Sequence, residues 1–353
     1  MNRNTQAGAG PRTALVLGAS GGVGGAVAEA LLARCWAVRG LARDPGRAQA
    51  DWGGRGPVEW HAGDAMVRAD VVRAARGVHA IVHAVNPPGY RDWDRLVLPM
   101  IDNTIAAARA AKAAGPAGGA RILLPGTIYN FDPATTPVLR ETSPQHPRSR
   151  KGDIRAELER RLKAASADVP VLIVRAGDFF GPRVRSSWFA QAMVTPGKPL
   201  RRLTVMSRAG HGWAYLPDLA ETMARLLDLG QDDTGRGGSP RLRAFEQAGF
   251  EGFWDPDGTA MPAAVAAAMG RGPLPTRAFP WWLMRMLAPF GGFPREAADI
   301  LPVWRHPVRI DNSRTVELLG VEPRTPLVAA MQATLHGLGC LPETVAAPTL
   351  KGA

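Results

Sequence analysis

Residues 13–33, Thr-Ala-Leu-Val-Leu-Gly-Ala-Ser-Gly-Gly-Val-Gly-Gly-Ala-Val-Ala-Glu-Ala-Leu-Leu-Ala, restrict the fold more than any other stretch. An apolar run of strand length meets three glycines spaced three apart, Gly18, Gly21 and Gly24, and an Ala/Leu-rich helical pattern follows. A strand that turns tightly into a helix needs a residue without a Cβ at the turn, which Gly18 supplies. Gly21 lets the backbone approach a ligand closely, and Gly24 lets the new helix pack on the sheet. The amides that open a helix lack partners within it, and the helix dipole is positive there. A pyrophosphate fits such a loop, so the stretch predicts a dinucleotide site formed by Gly18, Ser20, Gly21, Gly22, Val23 and Gly24.

Further apolar runs at 36–42, 58–62, 78–84, 121–125 and 169–175 read as strands, with helical patterns such as 70–75 and 94–114 between them. Strands that are nearly all apolar and alternate with helices predict an α/β fold, a doubly wound parallel sheet covered on both faces. Ligands in such sheets bind beyond the carboxyl ends of the strands, which draws attention to Arg43, Asp64, Ala84, Asn86, the segment 125–129 and the segment 176–181. The Gly/Asp/Arg-rich piece 231–241 reads as an exposed loop, and the alternation weakens beyond it. The expected organisation is a dinucleotide-binding core over 12–235, with 181–203 contributing to the substrate cleft, and a smaller C-terminal substrate lobe over 236–345. Residues 1–11 and 346–353 read as loose tails.

The net charge of +12 could suggest nucleic acid, but the basic residues are scattered, without long runs or interleaved aromatics. No specific nucleic-acid partner is expected. Cys35 and Cys340 are far apart and in no metal-like spacing, so they read as free thiols in a reducing compartment, with no metal site. The apolar stretch 279–290 is short, broken by Pro and carries Arg285, so neither a membrane span nor a membrane partner is expected and the reading is a cytoplasmic protein.

Taken in order, these landmarks resemble the extended short-chain dehydrogenase/reductases, the group of nucleotide-sugar epimerases and dehydratases, and more loosely its atypical members. Gly18-x-x-Gly21-x-x-Gly24 is similar to that group's glycine spacing, and Asp64 to the acid that holds the adenine amino group. Arg175-Ala176-Gly-Asp-Phe179-Phe-Gly181-Pro182 resembles the motif lying against the nicotinamide. Trp213-Ala-Tyr-Leu-Pro-Asp218 and the ending from Asp311 to Leu327 are similar to later landmarks of the group. The resemblance implies a Rossmann sheet, a nicotinamide cofactor held also by Ala84, Asn86, Lys151, Arg175, Ala176 and Phe179, and a small-molecule substrate. Arg43 at the tip of the second strand could clamp a 2′-phosphate, which favours NADP; the adjacent Asp44 would favour NAD if the register moved by one residue.

The resemblance also implies a Tyr four residues before a Lys, with a Ser or Thr on the same substrate oxygen. Lys151 is in about the right place, but Pro147 stands four residues before it, and a shifted register gives Ser149. Thr127 either reaches the hydroxyl position or satisfies backbone groups. Of the three tyrosines, Tyr129 follows strand five at the catalytic edge and is the substitute phenol, or a packing residue; His146 is a second candidate acid. Three readings follow: an NAD(P)-dependent oxidoreductase or epimerase-like enzyme with a non-standard site, a non-catalytic NADP(H)-binding sensor, and, last, a nucleic-acid-associated protein. Trp188, Phe189, Trp254, Trp281 and Trp282 hint at an apolar or aromatic ligand. The chain reads as a monomer, or as a homodimer pairing through the apolar stripes of 103–114 and 154–165, which serve equally to pack on the sheet.

Overall fold

The computed structural model describes residues 11–87, 93–114, 119–232 and 241–341. Pro88, Tyr90, Gly115 and Pro116, most of the loop expected at 231–241 and nearly all of both expected tails lie outside the described residues.

The first part of the chain runs β1 (Thr13–Leu17), α1 (Gly22–Ala33), β2 (Ala37–Ala42), α2 (Pro45–Trp52), β3 (Val58–Ala62), α3 (Arg68–Ala74), β4 (Ala80–His83), α4 (Trp93–Ala114) and β5 (Arg121–Gly126). Then come β6 (Val138–Leu139), α5 (Arg150–Ala165), β7 (Val171–Ala176), β8 (Asp178–Phe180), β9 (Leu203–Val205), β10 (His211–Tyr215) and α6 (Leu216–Asp232). The last part holds β11 (Phe245–Phe250), β12 (Phe253–Asp255), α7 (Ala260–Ala268), β13 (Thr276–Ala278), α8 (Trp281–Leu287) and α9 (Gly292–Asp299). It ends with α10 (Leu301–Arg305), β14 (Arg309–Ile310), α11 (Ser313–Leu319) and α12 (Leu327–Gly337).

Seven strands pair in parallel in the order β11-β7-β5-β4-β1-β2-β3. The chain winds outward from β1 through β2 and β3, then returns to lay β4 against the other side of β1, so the crevice of a doubly wound sheet opens at their carboxyl ends. Val27 and Leu31 of α1 pack with Leu219, Met223 and Leu227 of α6 on one face of the sheet. Ile101, Ile105, Leu158 and Leu162 pack on the other. The stripes of α4 and α5 therefore cover the sheet of their own chain.

The expected lobe boundary needs correction. The stretch assigned to the lobe begins with β11, the edge strand of the central sheet, paired with β7 from Phe245↔Val171 to Phe250↔Ala176. Its hydropathy is broken by Glu246 and Gln247, which is why the run does not read as a buried strand. Glu246 is fully buried because Arg314 of α11 forks onto it at 3.0 and 2.8 Å, and Gln247 accepts from Arg175 at 3.2 Å. A separate apolar core does lie outside the sheet, where Phe180, Phe189, Trp213, Val265, Trp304 and Met331 meet.

Candidate cofactor groove and active site

The turn after β1 has little room for side chains. Gly18 adopts φ +87°, and a Cβ added there would lie 2.6 Å from the Ala84 carbonyl oxygen. One added at Gly24 would lie 2.2 Å from the Gly18 oxygen. Gly21 sits before α1 in an extended conformation and donates its N–H to the Gly18 oxygen at 2.9 Å. The loop thus folds onto itself and leaves the opening amides of α1 without helical partners, a cradle for an anion. Ser20 and Gly21 are exposed at its rim, and Gly22 and Val23 are half-buried.

From this loop a groove of about 730 Å³ extends across the ends of β1 to β4, lined by Gly18, Ser20, Arg43, Asp64 and Asn86 among others. Ala84 stands behind Gly18 and donates its N–H to the Leu17 carbonyl at 3.0 Å. Asp64 does not cap α3. One carboxylate oxygen accepts from the Met66 amide at 2.9 Å, while the acid in the first turn of α3 is Asp70. At the tip of β2, Arg43 is exposed to the groove, whereas Asp44 turns its carboxylate to the Arg47 amide at 2.9 Å as the N-cap of α2. The Asp44 carboxylate is therefore engaged in holding a helix.

A second cavity, about 20 Å³ and large enough for one water, is lined by Tyr129, Lys151, Trp188, Phe293 and Glu296 among others. Tyr129 follows β5, and Lys151 lies in the first turn of α5. What brings them together is Gly152, where an added Cβ would lie 2.2 Å from the Tyr129 carbonyl oxygen. The Tyr129 backbone thus rests on the first turn of α5. Ser149 is the N-cap of that helix, its hydroxyl accepting from the Gly152 amide at 3.0 Å, and Pro147 packs on the same turn. Lys151 is buried, ion-paired with Glu296 of α9 and 5.8 Å from the Trp93 ring. The Tyr129 hydroxyl accepts from the Trp188 indole at 3.4 Å. Thr127 does not line this cavity; its hydroxyl accepts from the Tyr129 amide at 3.4 Å, so its contact is to backbone. His146 is exposed on the preceding loop.

The sequence model of the NAD dependent epimerase/dehydratase family matches residues 14–236, from β1 past the end of α6. The chain belongs to the NAD-dependent epimerase/dehydratase family. MoeE5, solved with UDP-glucose and NAD, shares 15% identity at a TM-score of 0.65, over 92% of this chain and 98% of that one. The UDP-glucose 4-epimerase of Bifidobacterium longum, solved with NAD+ and UDP, shares 14% at 0.62, over 93% and 97%. The nucleoside-diphosphate-sugar epimerase PA4631 of Pseudomonas aeruginosa shares 16% at 0.66, over 95% and 100%. No curated protein sequence matches the chain. At these identities the neighbours establish the shared fold.

Arg175 of this epimerase/dehydratase family member turns its side chain into the protein interior. Its guanidinium is buried and forks onto Glu159 at 3.0 and 2.7 Å, while also donating to the Thr127 carbonyl at 2.6 Å. Glu159 accepts from Gln145 at 2.6 Å, and Gln145 accepts from Asn130 at 3.1 Å. This polar chain fixes the loop that carries Thr127 and Tyr129. Ala176 ends β7, buried, and Phe179 is half-buried in β8. Next to Phe179, the Asp178 carboxylate is hydrogen-bonded to His211 Nε2 at 2.7 Å, and the His211 ring stacks on Trp304 at 4.1 Å. Below the crevice, β4 ends on His83, whose pKa falls to about 3 through burial first and the Arg155 charge second. Thr104 donates to the Met100 carbonyl at 3.1 Å, so the neutral ring donates through Nδ1 to the Thr104 oxygen at 2.8 Å.

Sequence reasoning missed Gly152, Glu159, Phe293 and Glu296. Gly152 alone carried a readable signal, a glycine in the first turn of a helix, where only a close neighbour gives it a purpose. Of the aromatic residues that hinted at a ligand, Trp188 lines the small cavity, Phe189 is fully buried in the lobe core, Trp254 packs over Gly210, and Trp282 is 69% exposed.

Proposed function

We propose that this protein is an NADP(H)-dependent oxidoreductase, or an epimerase-like enzyme with transient hydride transfer, acting on a small carbonyl or hydroxyl substrate. The observation that carries the reading is the meeting of a glycine cradle, a groove along the carboxyl edge of the sheet, and a phenol and an ammonium lining one cavity at that same edge. Gly18, Ser20, Gly21, Gly22, Val23, Gly24, Asp64, Ala84 and Asn86 would hold the dinucleotide, with Arg43 on a 2′-phosphate and Ala176 and Phe179 near the nicotinamide. A bound nicotinamide supplies or accepts the hydride. Tyr129 holds the proton for the substrate oxygen, and the Lys151 ammonium stabilises the phenolate. Thr127 serves by fixing the Tyr129 amide.

MoeE5 and the Bifidobacterium enzyme hold nucleotide sugars or UDP, which supports a small polar carbonyl or carbinol as one substrate class. The rings of Phe279, Trp281, Phe293 and Trp304, each within 6.5 Å of Trp188, support an apolar or aromatic substituent on it. Purified protein should bind NADPH and oxidise it with a member of a carbonyl panel. Tyr129→Phe should lower turnover about 100-fold with NADPH affinity unchanged. Tight NADPH binding without turnover on the panel, and without product in an epimerase screen, would instead support a non-catalytic NADP(H) sensor. That second reading draws on Pro147, which has no proton to give, and on a cavity that admits one water.

Arg43→Ala separates the two cofactors. A guanidinium on a 2′-phosphate makes charge-assisted bonds worth roughly 1.5–3 kcal/mol, so NADPH affinity should fall about 10- to 100-fold while NADH affinity changes little. Equal losses for both, read by fluorescence titration, would remove Arg43 from the 2′-phosphate.

A further inference from the structure

The segment 271–305 contains a helix, α8, that packs on the lobe core through Trp281 and leaves other apolar side chains exposed. α8 reads Trp-Trp-Leu-Met-Arg-Met-Leu, yet none of its residues is buried. Trp282, Met286 and Phe290, spaced four apart along α8 and the turn after it, are 69%, 57% and 87% exposed. Phe293, at the start of α9, is 44% exposed. Residues at this spacing share one side of a helix, and contiguous exposed apolar groups of this size mark a contact surface.

Charge decides what kind of contact. The segment holds five arginines, Arg271, Arg277, Arg285, Arg295 and Arg305, and two carboxylates, Glu296 and Asp299. All five arginines are exposed. Both carboxylates turn inward: Glu296 pairs with Lys151, and Asp299 accepts from the Arg150 and Lys151 amides at 3.3 and 3.4 Å. Arg295 donates to the carbonyls of Ala288 and Pro289 at 3.2 and 3.0 Å, and so holds its charge beside the Phe290 turn. The exposed charged side chains of the segment are thus all cationic, and they accompany the exposed apolar groups of α8 and the turn after it.

We propose that this face docks on an anionic lipid bilayer, with Trp282, Met286 and Phe290 entering the headgroup region and the arginines meeting lipid phosphates. No helix among the described residues is long and apolar enough to cross a membrane, and docking needs none. An interfacial helix requires an apolar stripe, aromatic residues at headgroup depth and flanking cations, and this segment supplies each. Phe293 lines the Tyr129 and Lys151 cavity on one side and is solvent-exposed on the other, so the docking face and the candidate active site meet at one side chain.

The test is flotation of the full chain with vesicles of phosphatidylcholine alone or mixed with phosphatidylglycerol, beside light scattering to read oligomeric state. The protein should float with the mixed vesicles and not with phosphatidylcholine alone. The double variant Trp282→Ser, Phe290→Ser should lower the bound fraction about tenfold, while its thermal melt and circular dichroism match those of the parent. Three results would each overturn the proposal: no flotation with the mixed vesicles, flotation unchanged in the double variant, which would mean attraction by net charge alone, or a dimer abolished by the same substitutions in a chain that does not bind vesicles. The outcome does not depend on whether the cofactor groove binds NADPH.

Discussion

Gly24→Ala should abolish high-affinity dinucleotide binding, lowering NADPH affinity more than about 100-fold, and should destabilise the fold by roughly 1–3 kcal/mol through overpacking. The added Cβ would stand 2.2 Å from the Gly18 oxygen and 2.6 Å from its carbonyl carbon, and both are backbone atoms that no rotamer change can move. Gly18 cannot yield, because it is held at φ +87° with the Ala84 carbonyl close behind it. The remaining escape is for α1 to lift from the sheet, which displaces the opening amides of the helix from the groove. Gly22→Ala is the internal control. Its Cβ meets Val184 Cγ1 at an ordinary 3.5 Å, so the variant should melt like the parent. Titration of NADPH against each variant, with melting curves alongside, reads both effects. Parent-like affinity in Gly24→Ala would mean that the loop does not hold the cofactor.

The second large effect is expected at the buried ion pair behind the site. Glu159→Ala should cost about 3–5 kcal/mol of stability, because it leaves the Arg175 guanidinium buried and uncompensated. The side chains of Arg175 and Glu159 are 7% and 4% exposed, so water cannot take the place of the lost carboxylate. The loss would spread along the polar chain. Gln145 loses its acceptor, Asn130 loses its oriented partner, and the loop carrying Tyr129 loosens although Tyr129 itself is untouched. Replacing both partners by apolar residues, Glu159→Leu with Arg175→Met, should recover most of the stability, since desolvating the pair offsets much of its attraction. Urea melts of the single and double variants check this. A cost below about 1 kcal/mol for Glu159→Ala would mean that the pair is solvated in the native protein.

Along the first half of the chain, the fold and the glycine turn were legible because both depend on local signals. β1, β4 and β5 are short, mostly apolar runs, and the turn after β1 is marked by residues chosen for their lack of a side chain. Gly18, Gly21 and Gly24 carry their reason in their spacing, and the groove formed where they indicated. β11 was not legible, because the polar residues that interrupt its hydropathy are made tolerable by Arg314 and Arg175, the first about seventy residues away. Arg175 was legible as part of a motif but not in its role, since an arginine in a strand looks the same whether it meets a ligand or a glutamate sixteen residues earlier.

By itself the sequence determined the parallel sheet, the glycine turn at its centre and the absence of a Tyr four residues before Lys151, because strand patterning and turn chemistry are written in neighbouring residues. Only the tertiary structure decided that Tyr129 stands beside Lys151, that Glu296 covers that lysine, and that Trp282, Met286 and Phe290 face outward. Those facts depend on the docking of α5 on the loop after β5 and of α9 on α5. Close packing between elements distant in the chain is set by shape and by the pairing of buried charge, and neither has a period that a sequence displays.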